Sequence, residues 1–178
     1  MNSTSKQSGF TLIELTIYIA LLALIGTVLT LFITQVIRRN AHAELTSRTL
    51  DNARGAMSLI TQEVRQANAI YTPTSVFNSN PGQLSLVTTL NIPTGENETY
   101  VDFYVDDQRL YRKREGQSAE LITSEQVVVS DLTFAHLHQS SISPAVRISI
   151  TIQPAVAATA ALDESTVTLT TTTALRAN

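Results

Sequence analysis

Gly9-Phe10-Thr11-Leu12-Ile13-Glu14-Leu15 opens onto a run, Leu15 to Ile37, of 23 residues without a charge. Seventeen of these are apolar; the exceptions are Thr16, Gly26, Thr27, Thr30, Thr34 and Gln35. As a helix rising about 1.5 Å per residue, the run reaches roughly 35 Å, enough to cross a hydrocarbon core of about 30 Å. A core helix of this length would keep a polar stripe, and the run has none. A secretory signal has a shorter apolar region and a small-residue exit, which Gln35-Val36-Ile37-Arg38-Arg39 does not provide. The stretch therefore reads as a membrane-spanning helix behind a short polar leader whose one side-chain cation is Lys6.

The rest of the chain is of a different kind. Residues 38–178 carry 25 of the charged side chains in this protein of 178 residues. That is the composition of an ordinary water-exposed domain. The net charge of −3 gives no global basic excess to mark nucleic acid as the main partner. The absence of Cys excludes disulfides, thiolate catalysis, iron–sulfur clusters and cysteine-based zinc sites.

The helix is expected to continue past the membrane. Residues 38–70 hold no Pro and one Gly, Gly55. Arg38 to Glu44 is polar and reads as an exposed neck containing His42. Leu50, Ala53, Met57, Ile60, Val64 and Ala67 then follow at spacings of three and four, an apolar stripe on one helical face. Asp51, Asn52, Arg54, Gln62, Glu63, Arg65 and Gln66 make up the expected wet face. Tyr71-Thr72-Pro73 ends the helix, because a residue before Pro avoids the α region.

Beyond Pro73 the period becomes two. Gln83–Leu90 reads as a strand, and 99–105 turns at Asp106-Asp107-Gln108 into 109–114 as a hairpin. Residues 126–129 and 132–138 read as two strands or one bent strand. In 145–153, Val146, Ile148, Ile150 and Ile152 alternate with Arg147, Ser149, Thr151 and Gln153. The Thr-rich segment 165–175 is expected to pair with it. Residues 91–98 and 154–163 read as loops. The expected fold is α+β: a long N-terminal helix, transmembrane and then amphipathic, packed on the dry face of a C-terminal antiparallel sheet.

Lys6-Gln7-Ser8-Gly9-Phe10-Thr11-Leu12-Ile13-Glu14-Leu15, followed by the apolar run, resembles the processing motif of type IV pilins and type II secretion pseudopilins. The resemblance implies that prepilin peptidase cuts between Gly9 and Phe10 and that Phe10 becomes N-methylated. It divides the chain into a leader (1–9), a transmembrane and assembly helix (10–37), an amphipathic helix (38–70) and a sheet head (71–178). Glu14, a costly carboxylate within an apolar stretch, would lie one turn from the new amine. The resemblance implies that it pairs with the Phe10 ammonium of a neighbouring subunit during assembly. A second, weaker similarity lies in the hairpin Tyr100–Lys113, the Val127–Phe134 strand, the Pro144–Ile148 strand and the Thr-rich end. Together these resemble the J-type minor pseudopilins, which join a small complex at the filament tip.

The resemblance thus implies a structural subunit of a type II secretion pseudopilus or type IV pilus, and not an enzyme. It is expected in the inner membrane as a single pass, N-terminus in the cytoplasm and head outside, and afterwards in the filament. Its expected partners are other pilins or pseudopilins through the helix, prepilin peptidase, the assembly platform and the lipid bilayer. No cofactor and no metal are expected. His136 and His138 share a strand face without a third ligand at readable spacing and read as surface histidines. Asp163 and Glu164 flank a loop, but match no EF-hand spacing. There is no nucleophile-elbow or phosphate-loop pattern. Arg109, Arg112, Lys113 and Arg114 form a basic hairpin, which reads either as charge protecting a sheet edge or as the contact of a tip binding module for a surface, a secreted protein or DNA.

Overall fold

The computed structural model describes residues 11–137, 144–155 and 165–176, and for 38–42 the backbone alone. One helix, α1, runs from Leu12 to Gln66. By contact the chain divides into two units between Ala41 and His42, and each has its own logic.

In the first unit the helix carries its apolar residues on every face. Leu12–Ile37 is long and apolar enough to cross a membrane, and among the described residues none of its side chains is buried. Its threonines do not break this character. Thr16, Thr27, Thr30 and Thr34 donate their hydroxyls to the carbonyls of Ile13, Ala23, Gly26 and Thr30, each at 2.8 Å. A hydroxyl closed onto its own helix can enter lipid without an unmet donor.

In the second unit α1 turns one face inward. Ala53, Met57, Ile60, Val64 and Ala67 are buried there, as the spacing predicts, whereas Leu50, the first of the expected stripe, is only half-buried and Ala56 is buried beside it. The wet face holds with one exception: Glu63 is only 6 % exposed. The helix also stops earlier than Pro73 requires. Ala67 bonds back to Val64, and Asn68 N–H donates to Val87 O at 2.8 Å. The chain is thereby drawn into a two-residue strand, β1 (Ala69–Ile70), on β2.

The strands form two antiparallel sheets in place of the single sheet expected. The first runs β1-β2-β3-β4-β5, with β2 Leu84–Thr88, β3 Thr99–Asp106, β4 Arg109–Arg114 and β5 Glu120–Leu121. The second runs β6-β7-β8, with β6 Val127–Leu137, β7 Ala145–Pro154 and β8 Val167–Ala174. The β3–β4 turn places Asp107 and Gln108 at φ 45° and 57°, the two left-handed positions of a type I′ turn, which suits the twist of a tight hairpin. The two candidate strands at 126–138 are one strand, bent by an irregularity between Val129 and Asp131. Val129 N–H then reaches Gln108 O at 2.8 Å and ties the sheets together.

Val146, Ile148, Ile150 and Ile152 of β7 are wholly buried and join Phe103, Leu110, Leu132, Phe134 and the α1 stripe in one core. β2 departs from alternation, since all five of its residues are buried. On the β1 side, beyond β1 itself, its edge is met by the following segment: Tyr71 N–H donates to Ser85 O at 2.8 Å and Ser85 N–H to Ser75 Oγ at 3.0 Å.

Two glycines give opposite predictions for unfolding in urea. A Cβ on Gly55 would meet nothing within 4 Å, and a helical Gly→Ala change of this kind raises stability by about 0.5–1 kcal/mol. A Cβ on Gly82 would lie 3.0 Å from Leu132 O and 3.1 Å from Phe134, so Gly82→Ala should lower stability by about 1–3 kcal/mol.

Candidate functional site

The processing residues Gly9 and Phe10 lie outside the described residues. The residues that follow make a helix start that the sequence encodes locally. Thr11-Leu12-Ile13-Glu14 has the Ser/Thr-x-x-Glu spacing of a capping box. Glu14 N–H donates to Thr11 Oγ1 at 3.3 Å and to Thr11 O at 3.1 Å. Glu14 is half-buried, and its Oε1 accepts from the Tyr18 hydroxyl at 3.1 Å, one turn along the helix. The carboxylate thus sits in the first turn, where the helix dipole favours negative charge. The polar group is fixed at one place on an otherwise apolar surface. The Thr-x-x-Glu signal and the Tyr18 spacing of i, i+4 are both present in the sequence; the reading of Glu14 as an intermolecular partner overlooks them.

The basic hairpin does not form one patch. Residues of β4 alternate in direction, and Leu110 points into the core. Arg112 and Arg114 share its face. Arg112 Nη1 donates to Glu63 Oε1 at 2.9 Å, and Arg114 Nη2 bonds the same oxygen. Arg112 also reaches Glu120 Oε2 at 2.5 Å. Arg109 and Lys113 face the other way; Arg109 lies 3.8 Å from Glu125 and Lys113 is exposed. Glu63, absent from the sequence-derived candidates, is therefore the carboxylate around which two of the four cations gather. Only the pairing of α1 with β4, 49 residues away, reveals it.

Beside β4, a cleft of about 380 Å³ is lined by Tyr71, Tyr100, Asp102, Lys113 and Glu115. Tyr71 and Tyr100 meet edge to face at 5.0 Å. The Tyr100 phenol is pushed above its ordinary value, first by desolvation and then by Tyr71, Glu98, Glu115 and Glu96. Nothing in the cleft pairs a nucleophile with a base. His136 is half-buried, not a surface residue, and stacks on Phe77 with ring centroids 5.5 Å apart. His138, Asp163 and Glu164 lie outside the described residues. Among those described, no three His, Asp or Glu side chains are grouped to hold a metal.

Residues 4–30 match the prokaryotic N-terminal methylation motif. The chain therefore carries a prepilin-type motif on an α+β, pilin-like fold. Comparison with curated proteins and with solved structures finds no match.

The ion cluster makes a separate prediction. Glu63→Ala leaves two half-buried guanidinium groups without their shared partner and should lower the unfolding free energy by about 3 kcal/mol. Exposed Glu125→Ala should change it by less than about 1 kcal/mol. Denaturant titration of the two variants checks both figures.

Proposed function

We propose that this protein is a minor pilin or pseudopilin, a structural subunit and not an enzyme. On this reading prepilin peptidase cuts between Gly9 and Phe10, and the new amine of Phe10 is methylated. The subunit then waits in the inner membrane, held by residues 10–37 with the head on the outer side, until an assembly platform moves it into a type IV pilus or type II secretion pseudopilus. The observation that carries this reading is the coincidence, over residues 4–30, of a methylation motif with a helix whose apolar surface has no cover within the chain. A motif alone would leave the role of the helix open. An uncovered apolar helix alone would fit any single-pass anchor. Together they favour a helix that is lipid-covered first and pilin-covered later.

Within the filament Glu14 is assigned to the Phe10 ammonium of a neighbouring subunit. Its support is the chemistry already described: a carboxylate, the one charged side chain between Leu12 and Ile37, fixed by its first-turn position and by Tyr18. The order of the head strands, with the β3–β4 hairpin followed by β6, β7 and the Thr-rich β8, supports placement among the J-type minor pseudopilins, and hence at the tip or initiation complex.

Mass spectrometry of the protein from cells containing the peptidase should find a mature chain beginning at N-methylated Phe10. A chain that keeps residues 1–9 overturns the proposal. Glu14→Ala should still insert and be cut. Its recovery in sheared filaments should fall by about tenfold or more, because an uncompensated charge in the apolar layer costs about 2.5–3.5 kcal/mol. Normal recovery would remove the pairing role.

A further inference from the structure

The two outer edges of the three-stranded sheet are treated differently. The edge of β6 is closed: Gly82 N–H donates to Leu132 O and Asn78 N–H to Phe134 O, both at 2.8 Å. The edge of β8 has no such cover among the described residues. Its direction follows from one bond. Leu175 N–H donates to Pro144 O at 3.0 Å, so the odd residues of β8 bond to β7. The N–H and C=O groups of Thr168, Thr170, Thr172 and Ala174 then point outward. Sheet edges are ordinarily guarded by charge, Pro, a bulge or shortness. β8 has eight residues, Val167-Thr-Leu-Thr-Thr-Thr-Thr-Ala174, without a charge, a Pro or an irregularity in its pairing.

Alongside this edge lies a groove of about 430 Å³ between β8 and α1. Leu169 and Met57 supply its apolar floor, while Arg54 and Arg65 border it. Both arginines are exposed, and neither has an ion pair among the described residues. A strand added to β8 would lay alternate side chains over this groove.

We infer that β8 is a docking edge for an extended acidic segment of a different protein, which joins the sheet as a further strand and sets its inward carboxylates on Arg54 and Arg65. Charge decides the occupant. A second copy pairing β8 with β8 would bring an uncharged strand and leave four arginines uncompensated. Arg54 and Arg65 are eleven residues apart on α1, roughly 16 Å at 1.5 Å per residue. That span is about five strand residues at about 3.3 Å each. Long side chains absorb the difference, so acids at i and i+4 on one face reach both. This docking edge is a property of the head and does not depend on how the N-terminus is processed.

The test uses the full chain in detergent micelles and a fluorescent, end-capped peptide, Thr-Asp-Thr-Val-Thr-Glu-Thr, beside its neutral twin, Thr-Asn-Thr-Val-Thr-Gln-Thr. Anisotropy should show the acidic peptide bound about tenfold more tightly, the effect of two exposed ion pairs. Arg54→Glu/Arg65→Glu should remove that preference. Thr170→Pro deletes an outward donor and no backbone bond to β7, but does remove the hydroxyl pair with Ser149 at 3.0 Å. It should abolish binding of both peptides, while Thr170→Ser, which keeps both the donor and the hydroxyl, should retain it. Equal affinity for the two peptides overturns the proposal, as does undiminished binding by a folded Thr170→Pro protein. If Thr170→Pro does not fold, the arginine pair, at exposed helix positions, decides alone. Concentration-dependent dimers that Thr170→Pro dissolves would assign the edge to a second copy and overturn it too.

Discussion

An apolar helix surface that its own chain does not cover constrains everything else about residues 12–37. In water such a surface is intolerable at this length, and in lipid it is stable only if every polar group is met from within. The helix goes most of the way with its backbone ladder and with four threonine hydroxyls folded back onto carbonyls. What it lacks is a driving force to leave lipid, since acyl chains are as apolar as its own leucines and isoleucines. Helix association in a bilayer therefore rests on close packing and on polar contacts. Gly26, whose missing side chain leaves its stretch of backbone bare, offers close approach, and Glu14 offers the polar contact. On the reading proposed above, Glu14, the one charge between Leu12 and Ile37, would mark one axial position to a neighbour.

A comparable division of labour operates in the head. The stripe of Ala53, Met57, Ile60 and Val64 supplies non-directional burial. Apolar burial of this kind has no preferred direction and tolerates small displacements better than a charge pair does. The Glu63 cluster does not share that tolerance. A slip of one turn would take the carboxylate from Arg112, which keeps Glu120, and from Arg114, and leave Glu63 and Arg114 short of partners in a poorly hydrated place. Breaking such a cluster costs more than the intact cluster contributes relative to apolar packing. Its consequence is thus positional: it fixes where β4 lies on α1. Arg48 to Gln126 at 2.6 Å and Ser124 N–H to Asn52 Oδ1 at 2.9 Å do the same for the start of β6.

The features legible in the sequence are those set by period alone. β7 shows its alternation in Val146, Ile148, Ile150 and Ile152, and the β3–β4 hairpin shows both its strands and its turn. The helix stripe appears in the spacing from Leu50 to Ala67. The features that are not legible depend on partners distant in sequence. Glu63 sits beside the apolar stripe and reads as solvent-facing until β4 arrives opposite it. β1 exists only because Val87 and Leu86 offer it a pairing edge, which stops α1 at Gln66. The single expected sheet is two because β6 pairs along its length with β7 and not with β4; one backbone bond, Val129 N–H to Gln108 O, links the two. Arg112 and Arg114 are an intermediate case. Their alternation with Leu110 already places them inward, but four cations in six residues make charge a louder signal than direction.

The strand edges of the head are guarded unequally. In the five-stranded sheet both edges are two residues long, too short to template another chain. In the second sheet β6 is closed by the loop that contains Asn78 and Gly82. β8 is the exception among the described strands, yet its outward face is not apolar. Thr168 pairs with Thr151 at 2.9 Å and Thr170 with Ser149 at 3.0 Å, a row of hydroxyls that hydrates one face of the strand. The opposite face, with Leu169 half-covered beside Met57, is where added apolar and acidic side chains would be buried. An edge hydrated on one face and flanked by arginines on the other resists pairing with copies of itself, while its outward amides and carbonyls remain open to a strand of complementary charge.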